Sequence, residues 1–210
     1  MTTDSDLLLQ LLSRRAGTSL PRDFYVSEAA HQADLRHIWT KEWVFAASAA
    51  ELPKAGNYVT LQIGQYPVVI VRGTDGQIRA FHNSCRHRGS RICSASRGSQ
   101  PKLVCPYHQW TYDLDGKLQW ARDMGPEFKP AEHGLMPVHC DSAAGMVFVC
   151  VADAAPDFAP VKAAANRYAA PHRIDHLKVA HQSTIIEKGN WKLVLENNRE
   201  CYHCAGQHPA

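Results

Sequence analysis

With 210 residues, 45% of them apolar, the chain can bury a proper core and holds one large or two small domains. A net charge of only +3, with no block of Lys or Arg, excludes a nucleic-acid-binding reading. No apolar run approaches the roughly 20 residues that cross a bilayer, so no membrane association is expected. Seven cysteines, an odd number, in a chain of this size and make-up do not read as a disulfide framework, and the expected compartment is reducing and cytoplasmic.

The elements follow in chain order. The start, Asp4-Ser5-Asp6-Leu7, is acidic and lacks the basic opening of a signal peptide. It predicts a short helix with Ser5 or Asp4 as cap, Leu7, Leu8, Leu11 and Leu12 on one face, and Gly17 as its stop. Ser27 caps a second helix running to about Trp39. Trp43-Val44-Phe45 then opens a run of short strands. Residues 57–63 and 67–71 are β-rich and separated by a turn at Gly64, and Asp75-Gly76 is a hairpin signal leading into 77–81. Leu103-Val104 forms a short strand, Asp115-Gly116 marks another hairpin, and 145–151 is the last buried strand. This regular spacing predicts a small antiparallel β domain over 43–152, after an N-terminal helical segment over 1–42. An Ala/Pro-rich linker at 154–160, a helix at 161–168, a strand at 179–186 and a helix from Trp191 through His203 then open a further domain over 153–210. The fold class expected is α+β.

Two segments carry metal chemistry. Cys85-Arg86-His87 is followed, after 17 residues, by Cys105-Pro106-Tyr107-His108. C-x-H with C-x-x-H is the ligand pattern of a Rieske 2Fe–2S centre, in which two thiolates hold one iron and two imidazoles the other. Zinc is the competing reading. Zinc sites usually pair Cys with Cys and His with His, whereas each half here is mixed and sits in loop chemistry, with Gly89-Ser90 after the first pair and Pro106 inside the second. The pattern points to single-electron transfer. Of the other cysteines, Cys140 and Cys150 lie in strand-like apolar runs and are expected to be ordinarily buried.

A second constellation, Glu200-x-x-His203-x4-His208, closes the sequence. On a helix Glu200 and His203 share a face, and Gly206 lets the chain leave that helix so that His208 can swing back. Two histidines and a carboxylate with open positions make a non-haem Fe(II) site that activates O2. Two alternatives stand beside it: a solvated helix end, and a zinc or redox reading of Cys201-x-x-Cys204. The redox reading wants a strand before the pair and a helix starting at the first Cys. Co-occurrence favours the iron site, because a mononuclear iron needs one-electron donation to activate O2.

At these residues the chain resembles the oxygenase (α) subunits of Rieske non-haem iron oxygenases. The matching stretches are C-R-H-R-G at 85–89, C-P-Y-H-Q-W-T-Y at 105–112, and N-W-K with E-C-Y-H and H-P between 190 and 209. The resemblance implies an antiparallel Rieske domain followed by the start of a helix–sheet catalytic domain. It implies Cys85, His87, Cys105 and His108 as cluster ligands, His203 and His208 as ligands of a mononuclear Fe(II), and Glu200 as an acidic bridge between the two centres. It also implies a homotrimer, in which electrons leave through His108 toward Glu200 of a neighbouring subunit, and an NAD(P)H-dependent reductase or ferredoxin as electron donor. Arg86 and Arg88, flanking His87, read either as solvated surface or as a docking patch for such an acidic partner.

Within the family, residues 192–204, with Phe81-His82-Asn83 and Gly89-Ser90-Arg91, are similar to the branch acting on quaternary ammonium compounds such as glycine betaine. Carnitine, choline and stachydrine oxygenases are near neighbours. Many aromatic-ring dioxygenases, an alternative assignment, have Asp where this chain has Glu200. The implied chemistry is O2-dependent hydroxylation of an N-methyl carbon of a small-molecule substrate, releasing formaldehyde and a dimethylated amine. Respiratory Rieske proteins resemble C-T-H-L-G-C and C-P-C-H-G-S, with a disulfide between the loops. Ser90 and Tyr107 stand at those positions here, so a potential toward the lower part of the roughly −150 to +300 mV range is expected.

The family's third iron ligand is an Asp far downstream of His208. The chain is therefore expected to be a C-terminally truncated part of an oxygenase, with an incomplete mononuclear site, no oxygenase activity of its own, and an apolar face at Trp191, Leu193, Val194 and Leu195 left without partners. A stand-alone Rieske electron carrier with a vestigial tail is the alternative from a different class.

Overall fold

The computed structural model describes residues 3–200 and 204–207. The chain divides into two units: Trp39–His181 is one, and the described parts of Met1–Ile38 and Gln182–Ala210 together form the other. Helix α1 (Asp4–Leu12) is capped by Thr3, not by Ser5 or Asp4. The Thr3 hydroxyl accepts the Asp6 N–H, and the Asp6 carboxylate accepts the Thr3 N–H. This reciprocal box satisfies two otherwise orphaned donors at once, which neither expected cap does. Of the four leucines expected on one face, only Leu7 is buried. The helix stops at Ser13, well before Gly17. Helix α2 (Asp23–Val26) and helix α3 (Glu28–Asp34) follow, with Ser27 capping α3 as expected, and a π-helical turn, Leu35–Trp39, carries the helical path to Trp39. Leu7, Phe24 and Ala30 form the small core of this part.

Ten strands make up the second unit: β1 (Val44–Ser48), β2 (Asn57–Ile63), β3 (Tyr66–Arg72), β4 (Ile78–His82), β5 (Arg97–Ser99), β6 (Leu103–Val104), β7 (Thr111–Tyr112), β8 (Leu118–Trp120), β9 (Pro137–Ala143) and β10 (Met146–Cys150). All pairings are antiparallel. A seven-stranded sheet runs β1-β10-β9-β4-β3-β2-β5, and β6-β7-β8 form a second, small sheet. Strand β3 is buried on both faces, which is why its sequence is a continuous apolar run rather than an alternation. Val68 and Ile70 point into a core shared with Val147 and Val149 of β10, so the large sheet curls over itself. Val69 and Val71 point the other way, into a core shared with Leu103 and Tyr112 of the small sheet and with Cys85 and Cys105. The curled antiparallel sheet bears out the α+β class.

The hairpin signals at Gly64, Asp75-Gly76 and Asp115-Gly116 all fall at turns. At Gly116, with φ +88°, a Cβ would meet the Phe81 ring at 2.4 Å, so only glycine lets this turn lie against β4. The β9–β10 turn is a two-residue loop in which both Ala144 and Gly145 have positive φ, matching the twist of the hairpin. Helix α4 (Ala159–Ala169) covers the expected 161–168 and begins with Pro160 in its first turn, where a missing N–H costs nothing.

The last fifty residues depart from expectation at several points. Residues 179–186 form no strand. Their alternation suits a strand, but a strand needs a ladder partner, and none of the described strands pairs with them. Ile185 and Ile186 remain 78% and 85% exposed. The helix from Trp191, α5 (Trp191–Arg199), is capped by Asn190 and ends at Arg199 rather than running through His203. Asn197-Asn198 supports a helix poorly, and Glu200 adopts φ −97°, ψ 84°, outside the helical region. A four-residue helix, α6 (Cys204–Gln207), then contains Gly206, so that glycine does not end the helical path. Leu193, Val194 and Leu195 are exposed as expected, but Trp191 is half-buried. No helix among the described residues is long and apolar enough to cross a membrane.

Candidate iron–sulfur site

The four predicted cluster residues lie on two loops of the same design. In the first, between β4 and β5, the Cys85 N–H donates to the Ser90 carbonyl at 2.8 Å and the Gly89 N–H donates to the Cys85 carbonyl at 2.9 Å. In the second, between β6 and β7, the Cys105 N–H donates to the Trp110 carbonyl at 2.8 Å and the Gln109 N–H donates to the Cys105 carbonyl at 3.0 Å. Each loop is six residues long, begins with its cysteine, and has a left-handed residue at the fifth place: Gly89 with φ 72° and Gln109 with φ 62°. A left-handed conformation costs a non-glycine residue about 1–2 kcal/mol, and at Gln109 the two loop hydrogen bonds hold it.

These loops bring the donors into one place with two different exposures. Cys85 and Cys105 are 4% and 2% exposed, inside the core beneath the small sheet. Their side chains adjoin. His87 is half-buried and His108 exposed, their ring centroids 4.7 Å apart. The buried Trp110 stacks on His87 at 5.0 Å and 8° between planes, which fixes the orientation of that ring. A surface hollow of about 380 Å³ lies against both imidazoles, with Tyr107, Trp120 and Met124 among its walls.

The electrostatics differ between the imidazole His87 and the thiol Cys85. Desolvation, then the neighbouring His108 and Arg88, holds the His87 pKa below the usual imidazole value, favouring the neutral ring that a metal binds. Burial pushes the Cys85 thiol up, and a hydrogen bond from Tyr112 offsets this only in part. The Tyr112 Oη lies 3.2 Å from the Cys85 Sγ and accepts the Arg86 N–H at 3.0 Å, which leaves its own proton to point at sulfur. Cys93, buried nearby with no such partner, is pushed up to about 11 by burial. Among the described residues no three His, Cys, Asp or Glu side chains gather around a single metal ion. A structural zinc needs four ligands on one atom. A two-iron cluster needs only a thiolate pair and an imidazole pair, with sulfide completing each iron. Two buried, adjoining thiols and two neighbouring imidazoles are the donor set that a two-iron cluster needs.

Asn83, in the sequence only a member of the motif Phe81-His82-Asn83, builds the first loop. It is 1% exposed, and its Oδ1 accepts the N–H groups of Ile92 and Cys93 while its Nδ2 donates to the Cys93 carbonyl at 2.7 Å. The loop is thereby closed onto the end of β4. The one available signal is a lone amide directly after an apolar strand. The second predicted site is described only in part. Glu200 is an exposed cap at the end of α5, its N–H bonded to the Glu196 carbonyl, and His203 and His208 lie outside the described residues. Glu200 stands outside α5 as its C-cap, and its expected pairing with His203 lies outside the described residues.

Residues 42–150 match the family model of the Rieske [2Fe-2S] domain. The chain belongs to the Rieske [2Fe-2S] domain family. Behind this Rieske domain, residues 174–210 match the ring hydroxylating alpha subunit catalytic domain. The chain is 50% identical over 206 residues to the glycine betaine monooxygenase oxygenase subunit of Chromohalobacter salexigens, covering 97% of this chain and 46% of the relative. It is 35% identical over 196 residues to the carnitine monooxygenase oxygenase subunit of Escherichia coli K12, covering 91% of this chain and 52% of that relative. It is also similar to a solved quaternary ammonium Rieske monooxygenase, described for carnitine oxidation and inter-subunit electron transfer, with a TM-score of 0.81, 31% identity, and coverage of 90% of this chain and 53% of that one. The chain spans about half the length of the curated relatives it matches. The Rieske assignment and the resemblance to the quaternary-ammonium branch are thus borne out, and the zinc reading is set aside.

Proposed function

We propose that Cys85, His87, Cys105 and His108 hold the 2Fe–2S cluster, and that the chain is the electron-transferring N-terminal part of an oxygenase α subunit acting on a quaternary ammonium compound. The observation that carries this reading is the pair of matching loops, which sets two thiols in the core and two imidazoles at the surface. When bound, such a cluster accepts and passes one electron at a time. The residues around it have separate tasks. Trp110 holds the His87 ring, Tyr112 donates to the Cys85 sulfur, and the exposed His108 is the exit for the electron. Residues 43–152 are the Rieske domain and 153–210 open the catalytic domain, with 1–42 as the N-terminal segment. His203 and His208 are two ligands of the mononuclear Fe(II), and Glu200 is the acid that links the centres between subunits of a homotrimer. Glycine betaine, losing one methyl as formaldehyde, is the substrate favoured by the 50% identity to a glycine betaine monooxygenase subunit. A reductase or ferredoxin supplies the electrons, in the cytoplasm.

A chimera tests this. Residues 1–210 are joined to the portion of the Chromohalobacter salexigens subunit beyond the aligned region, and formaldehyde is measured with glycine betaine, O2, NAD(P)H and a reductase. Betaine-dependent formaldehyde, abolished by Cys85→Ser, is the expected result. A folded chimera that carries the cluster but yields none overturns the reading.

The Tyr112–Cys85 contact gives a second expected result. A hydrogen bond to sulfur stabilises the reduced, more negative cluster. A net value of about 0.5–1.5 kcal/mol for one such bond corresponds to roughly 20–65 mV for a one-electron couple. Tyr112→Phe lowers the reduction potential by that amount, read by redox titration followed by EPR. An unchanged potential means that Tyr112 does not donate to the cluster sulfur.

A further inference from the structure

Trp110 holds the His87 ring, and Trp110 is itself held. The segment between β8 and β9, residues 121–136, reaches it with two rings. Phe128 and His133, both half-buried, meet the Trp110 indole with centroids 5.6 Å and 6.0 Å away and planes at 68° and 74°, and they pack on each other at 4.4 Å. The segment is pinned on the His133 side. Pro130–His133 form a short helical turn with proline at its start, where a missing N–H costs nothing. His133 Nδ1 lies 2.9 Å from the Lys129 carbonyl, which can only accept, so Nδ1 carries the proton. Two residues on, Leu135 is buried in the core that holds Cys85 and Cys105, and its N–H donates to the Gly116 carbonyl at 2.8 Å. A stacked neighbour fixes the plane of a ring but lets it slide. Near-perpendicular neighbours, the edge-to-face arrangement that aromatic rings favour, block that slide.

From this chain of rings we propose that Phe128 and His133 are positioning residues for the His87 imidazole, acting on it through Trp110. This rests on the reading of Cys85, His87, Cys105 and His108 as the ligand set. The other imidazole stands apart from the support: His108 is exposed, and its ring neighbours are His87 and Tyr107. The two imidazoles are thus held differently, one by an aromatic stack rooted in the core and one at the surface. Groups that orient a metal-binding histidine carry about ten- to a hundredfold in metal affinity or activity.

The test uses the full 210-residue chain carrying its cluster, with isotope-labelled histidine. Two quantities are read: the rate of iron loss to a chelator, and the nitrogen couplings of the two imidazoles in pulsed EPR after dithionite reduction. The paired variant Phe128→Leu/His133→Leu keeps apolar bulk and removes both rings. His133→Leu alone is the milder change, and Phe128→Tyr keeps the ring. The wild type is expected to show two histidine couplings. In the paired variant one coupling is expected to shift and the other to stay, with iron lost at least roughly tenfold faster. His133→Leu is expected to shift the same coupling by less, and Phe128→Tyr to match the wild type in both readouts. Unshifted couplings in the folded variants overturn the positioning role, even where iron is lost faster, since that is a fold effect. A shift of both couplings overturns it as well, because the support then does not act on His87 through Trp110. A wild-type cluster without two histidine couplings overturns the ligand set, and this inference with it.

Discussion

Cys105→Ser yields a chain without iron. Cys105 is 2% exposed, packed in one core with Leu103, Trp110 and Tyr112, and its loop is closed by two backbone hydrogen bonds of its own. Serine keeps the shape but replaces a soft thiolate by a hard hydroxyl, which the iron of a sulfide cluster holds poorly. Half of the thiolate pair is then lost, and so is the stabilisation that ligand binding gives the folded state. Iron and acid-labile sulfide are expected to fall to background, with a lower thermal midpoint. Cys140→Ser is the control. That thiol lies on β9, away from the loops, and burial pushes it up to about 12, so iron is expected to be retained. Full iron content in Cys105→Ser contradicts the proposed ligand set.

Asn83→Ala is expected to be the most destabilising change that touches no ligand. It leaves three buried backbone groups, the N–H of Ile92 and both the N–H and the carbonyl of Cys93, without their partner. Each buried group left unsatisfied costs about 1–3 kcal/mol, so a loss of at least roughly 3 kcal/mol is expected from urea unfolding. Against a typical total of about 5–15 kcal/mol, such a variant folds marginally and releases its iron more readily under chelator. A loss below about 1 kcal/mol shows that the loop is held by other contacts.

The sequence and the structure agree best where local chemistry decides. Hairpin positions at Asp75-Gly76 and Asp115-Gly116 were legible because those turns need residues that tolerate positive φ. The two cysteine–histidine loops were legible from their spacing alone. Their equivalence was not, because it resides in backbone hydrogen bonds and in a left-handed Gln109 that no propensity favours. The cap of α1 was placed wrongly because Thr3 wins through its reciprocal bond with Asp6, a pairing visible only when both partners are considered. The strand expected at 179–186 has the right alternation, but alternation describes a face and not a partner. Helix α5 ends earlier than its sequence motif suggests, because Asn197-Asn198 favours a stop. The buried ion pair of Asp34 with Lys192 joins residues 158 positions apart and leaves no trace in local sequence.

Iron and acid-labile sulfide per purified chain, with an EPR spectrum after dithionite reduction, test the central claim most directly. About two irons and two sulfides with a Rieske-type signal, whose imidazole ligands set it apart from an all-cysteine cluster, are the predicted result. Stoichiometric zinc without sulfide, or an all-cysteine cluster spectrum, contradicts the assignment of Cys85, His87, Cys105 and His108.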